Sequence, residues 1–221
     1  MSDLKAWSYS RLRNFETCPH RYLHYDVLKD VSEPESAELR AGNAMHKAFE
    51  NRLVHDLPLT SGHLRFETML AKIVDAPGVI FGEQRLAITQ DMQPDLYFGA
   101  RVWFRTIVDL MKLRDDTAVV FDWKDGKAKD DPTQLMLMAA AIFVHYPQVQ
   151  QVKTGLIFIN HDYAHVEHYG RDDQVGIWNE ILPRVKSLLA AHAVDQFPPK
   201  PSGLCKRYCA VKSCAYHGLG R

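Results

Sequence analysis

At 221 residues, 46% hydrophobic and 24% charged, the chain has enough material for one sizeable core and the balance of a globular domain. Lysine plus arginine number 27 and aspartate plus glutamate 27, so the formal charge is zero; that argues against a DNA-coating protein but not against an enzyme with a local basic track. No stretch joins a basic head to an apolar run, and none approaches membrane-spanning length, so the expected setting is the cytosol.

In chain order, the N-terminal third reads as helical. Ser8 or Ser10 is placed to cap a helix carrying Leu12, Phe15, Tyr22 and Leu23. Pro34 and its acidic neighbours mark a break before a helix over Ala37 to His55, and a third helix is predicted from Gly62 to Val74, ending at the Asp75-Ala76-Pro77-Gly78 turn. The period then shortens. Val79 to Thr89, Tyr97 to Lys112 and Thr117 to Trp123 read as three strands of a meander, with turns at Pro94-Asp95 and Arg114-Asp115-Asp116. Asp130-Asp131-Pro132 opens a helix running to His145, apolar enough to be buried. Strands over Val152 to Asn160 and His165 to Tyr169 follow, then a helix from about Asp172 to Ala193 that Pro183 should kink or restart. The Phe197 to Pro201 segment leads as an extended linker into a cysteine-rich end. This alternation predicts an α/β core with a helical N-terminal addition.

Polar residues recur where these elements end. Asp122 and Lys124 lie two apart at the end of a buried strand, hence on one face of it. His46 sits on the second helix with Glu50 one turn on, Glu83 near the start of the first strand, and Asp109 late in the second, interrupting an apolar run; Gln134 follows on the next helix. Singly, each reads as a solvated side chain, a turn residue or an edge ion pair. Arg11, Arg13 and Arg21 near the start, and Lys200, Lys206, Arg207 and Lys212 near the end, form basic clusters, although a run of charge usually marks a solvated face.

In their order and spacing these residues resemble the RecB-like branch of the PD-(D/E)xK nuclease superfamily, which includes AddB-type nuclease domains, CRISPR-adaptation nucleases and phage recombination exonucleases. The family's Gly-x-x-x-His helix matches Gly42 to His46, its core-strand aspartate matches Asp109, and its (D/E)-x-K matches Asp122 and Lys124. Its Gln-x-x-x-Tyr helix matches Gln134 but departs at Met138, and its N-terminal motif resembles Ser8 to Pro19. The resemblance implies a restriction-endonuclease-like core, a central mixed sheet flanked by helices. Residues 1–78 would be a helical region carrying Cys18 and His46, residues 79–196 the nuclease core and residues 197–221 a cysteine-rich tail, all in one integrated domain.

The implied activity is metal-dependent hydrolysis of DNA phosphodiesters, as an exonuclease on ends or single strands in recombination, repair or phage DNA metabolism. His46, Asp109, Asp122 and the Trp123 backbone carbonyl would hold Mg²⁺ or Mn²⁺. Lys124 would act on the attacking water, Glu83 would contribute near the catalytic set, and Gln134, Arg11 and Arg21 would meet the substrate. No P-loop is present, so unwinding would come from a helicase, and an annealing or single-strand-binding protein is a further expected partner; no membrane is involved. The host is expected to be a bacterial cytoplasm, with the protein of bacterial or phage origin. The rival readings are a CRISPR-adaptation subunit and a non-catalytic DNA-binding or docking module of the same fold.

Cys205, Cys209 and Cys214 cluster in the tail while Cys18 stands apart. In a cytosolic chain clustered cysteines point to metal rather than disulfides. In the family's iron–sulfur members one N-terminal and three C-terminal cysteines hold a [4Fe–4S] cluster. The tail spacing here displaces the middle cysteine by one, and Zn²⁺ is the alternative occupant, with His217 able to replace a thiolate.

Overall fold

The computed structural model describes residues 6–32 and 36–219, so the predicted break at Pro34 lies outside the described residues. In chain order the elements are α1 (Tyr9–Thr17), α2 (Pro19–Tyr22), a wider π-helical turn (Leu23–Leu28), α3 (Ala37–His55), a 3₁₀ turn (Ser61–Phe66) and α4 (Glu67–Asp75). The strands β1 (Val79–Phe81), β2 (Gln84–Thr89), β3 (Pro94–Asp95), β4 (Val102–Val108), β5 (Leu110–Arg114) and β6 (Thr117–Lys124) lead to α5 (Pro132–His145). After β7 (Gln151–Phe158) and β8 (Tyr163–Gly170) come a 3₁₀ turn (Arg171–Asp173), α6 (Gln174–Val194) and α7 (Leu204–Arg207). Contacts divide the chain into two units, one made of residues 1–34 with 179–221 and the other of residues 35–178.

The larger unit holds a five-stranded sheet in the order β1-β5-β6-β7-β8, with β6 and β7 parallel and the other pairs antiparallel. It is the mixed α/β arrangement expected of a restriction-endonuclease-like core. A parallel pair needs a crossover, and α5 supplies it, capped by Asp131 and opened by Pro132. Leu135 and the run from Leu137 to Phe143 are all buried, as befits a helix apolar around its whole circumference. The opposite face of the sheet carries α3 and α4. Ser36 accepts the Leu39 N–H to start α3, and Gly42, Met45, Phe49 and Leu53 then recur at helical spacing as its buried stripe. That stripe packs with Phe66, Leu70, Leu110 and Trp123; Phe49 meets the Trp123 ring edge-on at 5.2 Å.

A second, three-stranded sheet, β3-β2-β4, corrects the expected meander. The predicted strand over Val79 to Thr89 is broken at Gly82-Glu83, because β1 joins the five-stranded sheet and β2 the three-stranded one. At Gly82 α3 comes so close that a Cβ would lie 3.0 Å from Val54. The predicted strand over Tyr97 to Lys112 is likewise two strands, with Asp109 as the single residue between them, and Tyr97 to Arg101 belong to a turn. Pro94-Asp95, expected as a turn, pairs with β2 instead; the reversal falls earlier, around Met92 in the left-handed region. The third helix divides into a 3₁₀ turn and α4, and Pro183 is accommodated inside α6.

In the smaller unit Ser8 caps α1 with its side chain, and the helix ends at Cys18 before Pro19 opens α2. Tyr22 is fully buried there, its hydroxyl 2.8 Å from His192 Nε2, and burial raises its pKa to about 12. No described helix is long and apolar enough to cross a membrane.

Candidate active site

The strand β6 ends in Asp122, Trp123 and Lys124, and its alternation sends Asp122 and Lys124 to one face and Trp123 to the other. Trp123 is thereby locked into the apolar layer under α3, which fixes the backbone beside it. On the other face Asp122 is buried, its Oδ1 accepting from Gln134 Nε2 at 3.3 Å across the first turn of α5. The Lys124 ammonium sits against Asp122 Oδ2. That oxygen is buried and has no well-directed hydrogen bond, so its contact with Lys124 is ionic.

Asp109 reaches the same strand from the break between β4 and β5. Its Oδ2 accepts the Trp123 backbone N–H at 2.8 Å, and its Oδ1 stands 3.3 Å from His46 Nδ1. His46 follows Met45 on α3, so the buried stripe that seats the helix also sets the imidazole over Asp109. His46, Asp109, Asp122, Lys124 and Gln134 are thus gathered at one end of β6.

The electrostatics follow from burial. Desolvation raises the Asp122 carboxyl above the usual range, with Lys124 opposing that shift and Asp109 adding to it. The His46 imidazole is raised above its ordinary value, chiefly by its hydrogen bond to Asp109 and against the effect of burial. Two carboxylates in a partly desolvated corner call for positive charge, and their hard oxygens match a small divalent cation in kind. Among the described residues, however, no three His, Cys, Asp or Glu side chains form a group that could hold a metal ion.

A cavity of about 240 Å³ opens beside Asp109 and His46, lined also by Asn43, Lys47, Glu50 and Glu83. Glu83 is held by Arg85, Oε1 to Nε, at 2.7 Å. Asn43 and Lys47 escaped the sequence reading, although both lie within a turn of His46 on α3. Two larger cavities, about 560 Å³ each, lie along the β7–β8 hairpin and beside the end of α4, away from these acids, so size does not locate the chemistry. The Trp123 backbone meets Asp109 through its N–H.

The remaining candidates belong to the smaller unit. Arg11 donates to the carbonyls of Ala6 and Asp26, and Arg21 donates to Asn14 and lies 4.3 Å over the Tyr25 ring. Cys18, Cys205, Cys209 and Cys214 are all half-buried free thiols. The Lys200 N–H points at Cys18 Sγ and the Ser202 N–H at Cys205 Sγ, each at 3.4 Å.

The model of the PD-(D/E)XK nuclease superfamily matches residues 6–214. No curated protein sequence matches the chain. Among solved structures, a provisionally named exonuclease from Eubacterium rectale shares 11% identity over 89% of this chain and 84% of its own, with a TM-score of 0.51. The protein SSO0001 shares 12% identity over 98% of this chain and 89% of its own, with a TM-score of 0.49. At 11% identity the likeness to the Eubacterium rectale protein is one of fold.

Proposed function

The chain belongs to the PD-(D/E)XK nuclease superfamily, and from that membership we propose that it is a divalent-metal-dependent deoxyribonuclease working on DNA ends or single strands. The observation that carries this reading is the convergence of Asp109, Asp122, Lys124 and His46 at the end of β6, beside an open cavity.

Nucleases of this superfamily typically use Mg²⁺ or Mn²⁺. Held by Asp109 and Asp122 with His46 and the Trp123 carbonyl, such an ion would polarise a phosphoryl oxygen and acidify a water. The chain's own residues do the rest. Lys124 orients the water whose oxygen attacks phosphorus and steadies the charge that grows on the phosphate as the P–O bond to the leaving sugar oxygen breaks. Gln134 holds Asp122 in place, and the Trp123 amide does the same for Asp109. Glu83, on the cavity wall, is read as meeting the DNA end.

The four cysteines are read as ligands of a [4Fe–4S] cluster, with Zn²⁺ as the alternative. The amide donors on two of the sulfurs support that reading; the spacing of the thiols does not, since they form no group that could hold a metal. Visible absorbance and metal analysis of protein purified without oxygen decide it, a colourless metal-free protein removing the cluster.

The test of the nuclease is cleavage of end-labelled single- and double-stranded DNA with Mg²⁺, Mn²⁺ or EDTA, wild type beside Lys124→Ala. Metal-dependent cutting that the variant loses supports the assignment, and the label shows the polarity. A folded, metal-supplied protein that cuts neither substrate overturns it.

A further inference from the structure

The three-stranded sheet carries an exposed surface that the hydrolytic centre does not use. Leu96 and Phe98 are 79% exposed, far more than apolar side chains of that size need be. They stand on a tight, well-fastened turn. Asp95 Oδ1 accepts the Leu96 N–H at 2.8 Å, the Leu96 carbonyl accepts the Gly99 N–H at 2.7 Å, and a Cβ on Gly99 would lie 2.7 Å from Asp95 Oδ1. The turn therefore presents these side chains outward by construction.

Arginines flank them. Arg105 lies 5.4 Å from the Tyr97 ring centre and 5.9 Å from that of Phe98, and Tyr97 and Phe98 meet edge-on at 5.0 Å. Among the described residues Arg105 has no carboxylate partner. Arg85 lies 5.9 Å from the same Tyr97 ring and pairs with Glu83. Strand pairing sets Arg85 opposite Ile107 and Ala87 opposite Arg105, so both arginines share one face of the sheet. Phe98, Tyr97, Arg105 and Arg85 thus form a continuous track that ends at Glu83 on the wall of the His46–Asp109 cavity.

We propose that this face is a binding surface for single-stranded DNA, bases stacking on Phe98 and Tyr97 and phosphates meeting Arg105 and Arg85, which leads the strand to the hydrolytic centre. The inference rests on the nuclease reading of that centre. Aromatic rings interleaved with guanidinium groups are what sequence-tolerant single-strand recognition requires, since every base has a face to stack and every linkage a charge. A duplex, its bases already stacked, gains nothing from Phe98.

The experiment is fluorescence anisotropy of labelled oligothymidylate in EDTA, which prevents cutting, with wild type, Phe98→Ala, Leu96→Ala and Arg105→Ala. Leu96 and Phe98 are exposed and Arg105 is half-buried, so the melting curves of the first two variants should coincide with wild type, and any one folded variant keeps the test open. Phe98→Ala is expected to weaken binding about tenfold while changing affinity for a blunt duplex little. Arg105→Ala should reduce the slope of log affinity against log salt by about 0.7, one phosphate's worth on a single strand. Unchanged oligothymidylate affinity and salt slope in the folded variants overturn the proposal. So does a wild-type dimer that Phe98→Ala dissociates, which would make the patch a contact between copies. Protein that cuts DNA while binding is indifferent to positions 98 and 105 loses this surface alone; protein that binds through them but never cuts loses the nuclease reading and keeps the surface.

Discussion

Gly42 and Asp125 approach so closely that a Cβ on Gly42 would lie 2.6 Å from Asp125 Oδ2. The contact joins the helix that presents His46, one turn later, to the residue after Lys124. The atom in the way is the tip of a short exposed side chain and can swing aside. Gly42→Ala is therefore expected to hold stability within about 1 kcal/mol of wild type, because alanine favours a helix interior by about that amount. Leucine at the same position meets the carboxylate and the adjoining loop together and should lower cleavage. Urea unfolding and initial cleavage rates of the two variants check this.

Burial leaves Asp122 costly in its charged form. Its folded pKa lies above the unfolded value, so the folded state binds the extra proton between the two and stability falls as pH rises through that window. At neutral pH Asp122→Asn removes a buried charge, and Lys124, a third exposed, can turn to water. The expected result is a melting temperature at or above that of wild type with cleavage abolished. Lys124→Ala should do the opposite to stability, stranding a buried carboxylate, while lowering cleavage about 10³-fold. Melting curves at pH 7 beside single-turnover rates separate the two.

His46 gives the opposite pH sign from a carboxylate held ionised. Its folded pKa is raised by the Asp109 hydrogen bond, so the pair's stabilisation is fully present below the unfolded value near 6.5 and is lost as pH rises through the raised folded value. In metal-free protein, stability should decline across that window, and His46→Gln should flatten the decline. Denaturant midpoints measured in EDTA from pH 5 to pH 9 test it.

Lys112 has no part in the proposed active site. It is 6% exposed, and its ammonium donates to the carbonyls of Ile73, Val74 and Ala76, closing the end of α4. Lys112→Met keeps the length but leaves those carbonyls without a donor, and a cost of about 2–3 kcal/mol is expected with DNA cleavage by the folded fraction unchanged. Calorimetry together with specific activity at low temperature distinguishes this from a catalytic effect.

The parts of the fold that local pattern determines were readable. Ser36 and the Gly42-Met45-Phe49-Leu53 stripe define α3, and its limits agree with those read from the sequence. The start of α5 at Asp131-Pro132 was equally plain. The breaks at Gly82-Glu83 and Asp109 were not, because a lone polar interruption reads equally well as an exposed side chain in a continuing strand and only distant groups decide them: Val54 beside Gly82, and the Trp123 amide waiting for Asp109. The same holds at the site. Strand alternation alone places Asp122 with Lys124, whereas their meeting with His46 depends on how α3 seats on Trp123. For the cysteines, spacing in the chain says nothing of distance between Cys18 and the tail, and their thiols do not form a cage.

The chain leaves the five-stranded sheet at Gly82-Glu83 and rejoins it at Asp109, and the first and last residues of the excursion, Gln84 and Val108, are paired neighbours. Residues 84–108 are therefore a cassette with adjacent roots. A segment whose ends already touch can change its exposed tip without moving the chain on either side, provided its buried residues are kept. Glu83 and Asp109 stay with the scaffold and Ala87, Ile88 and Phe104 stay buried in the core, so the part free to vary over evolutionary time, or by grafting, is the exposed turn around Phe98, the surface proposed to meet DNA, with Asp109, Asp122 and Lys124 left where they stand.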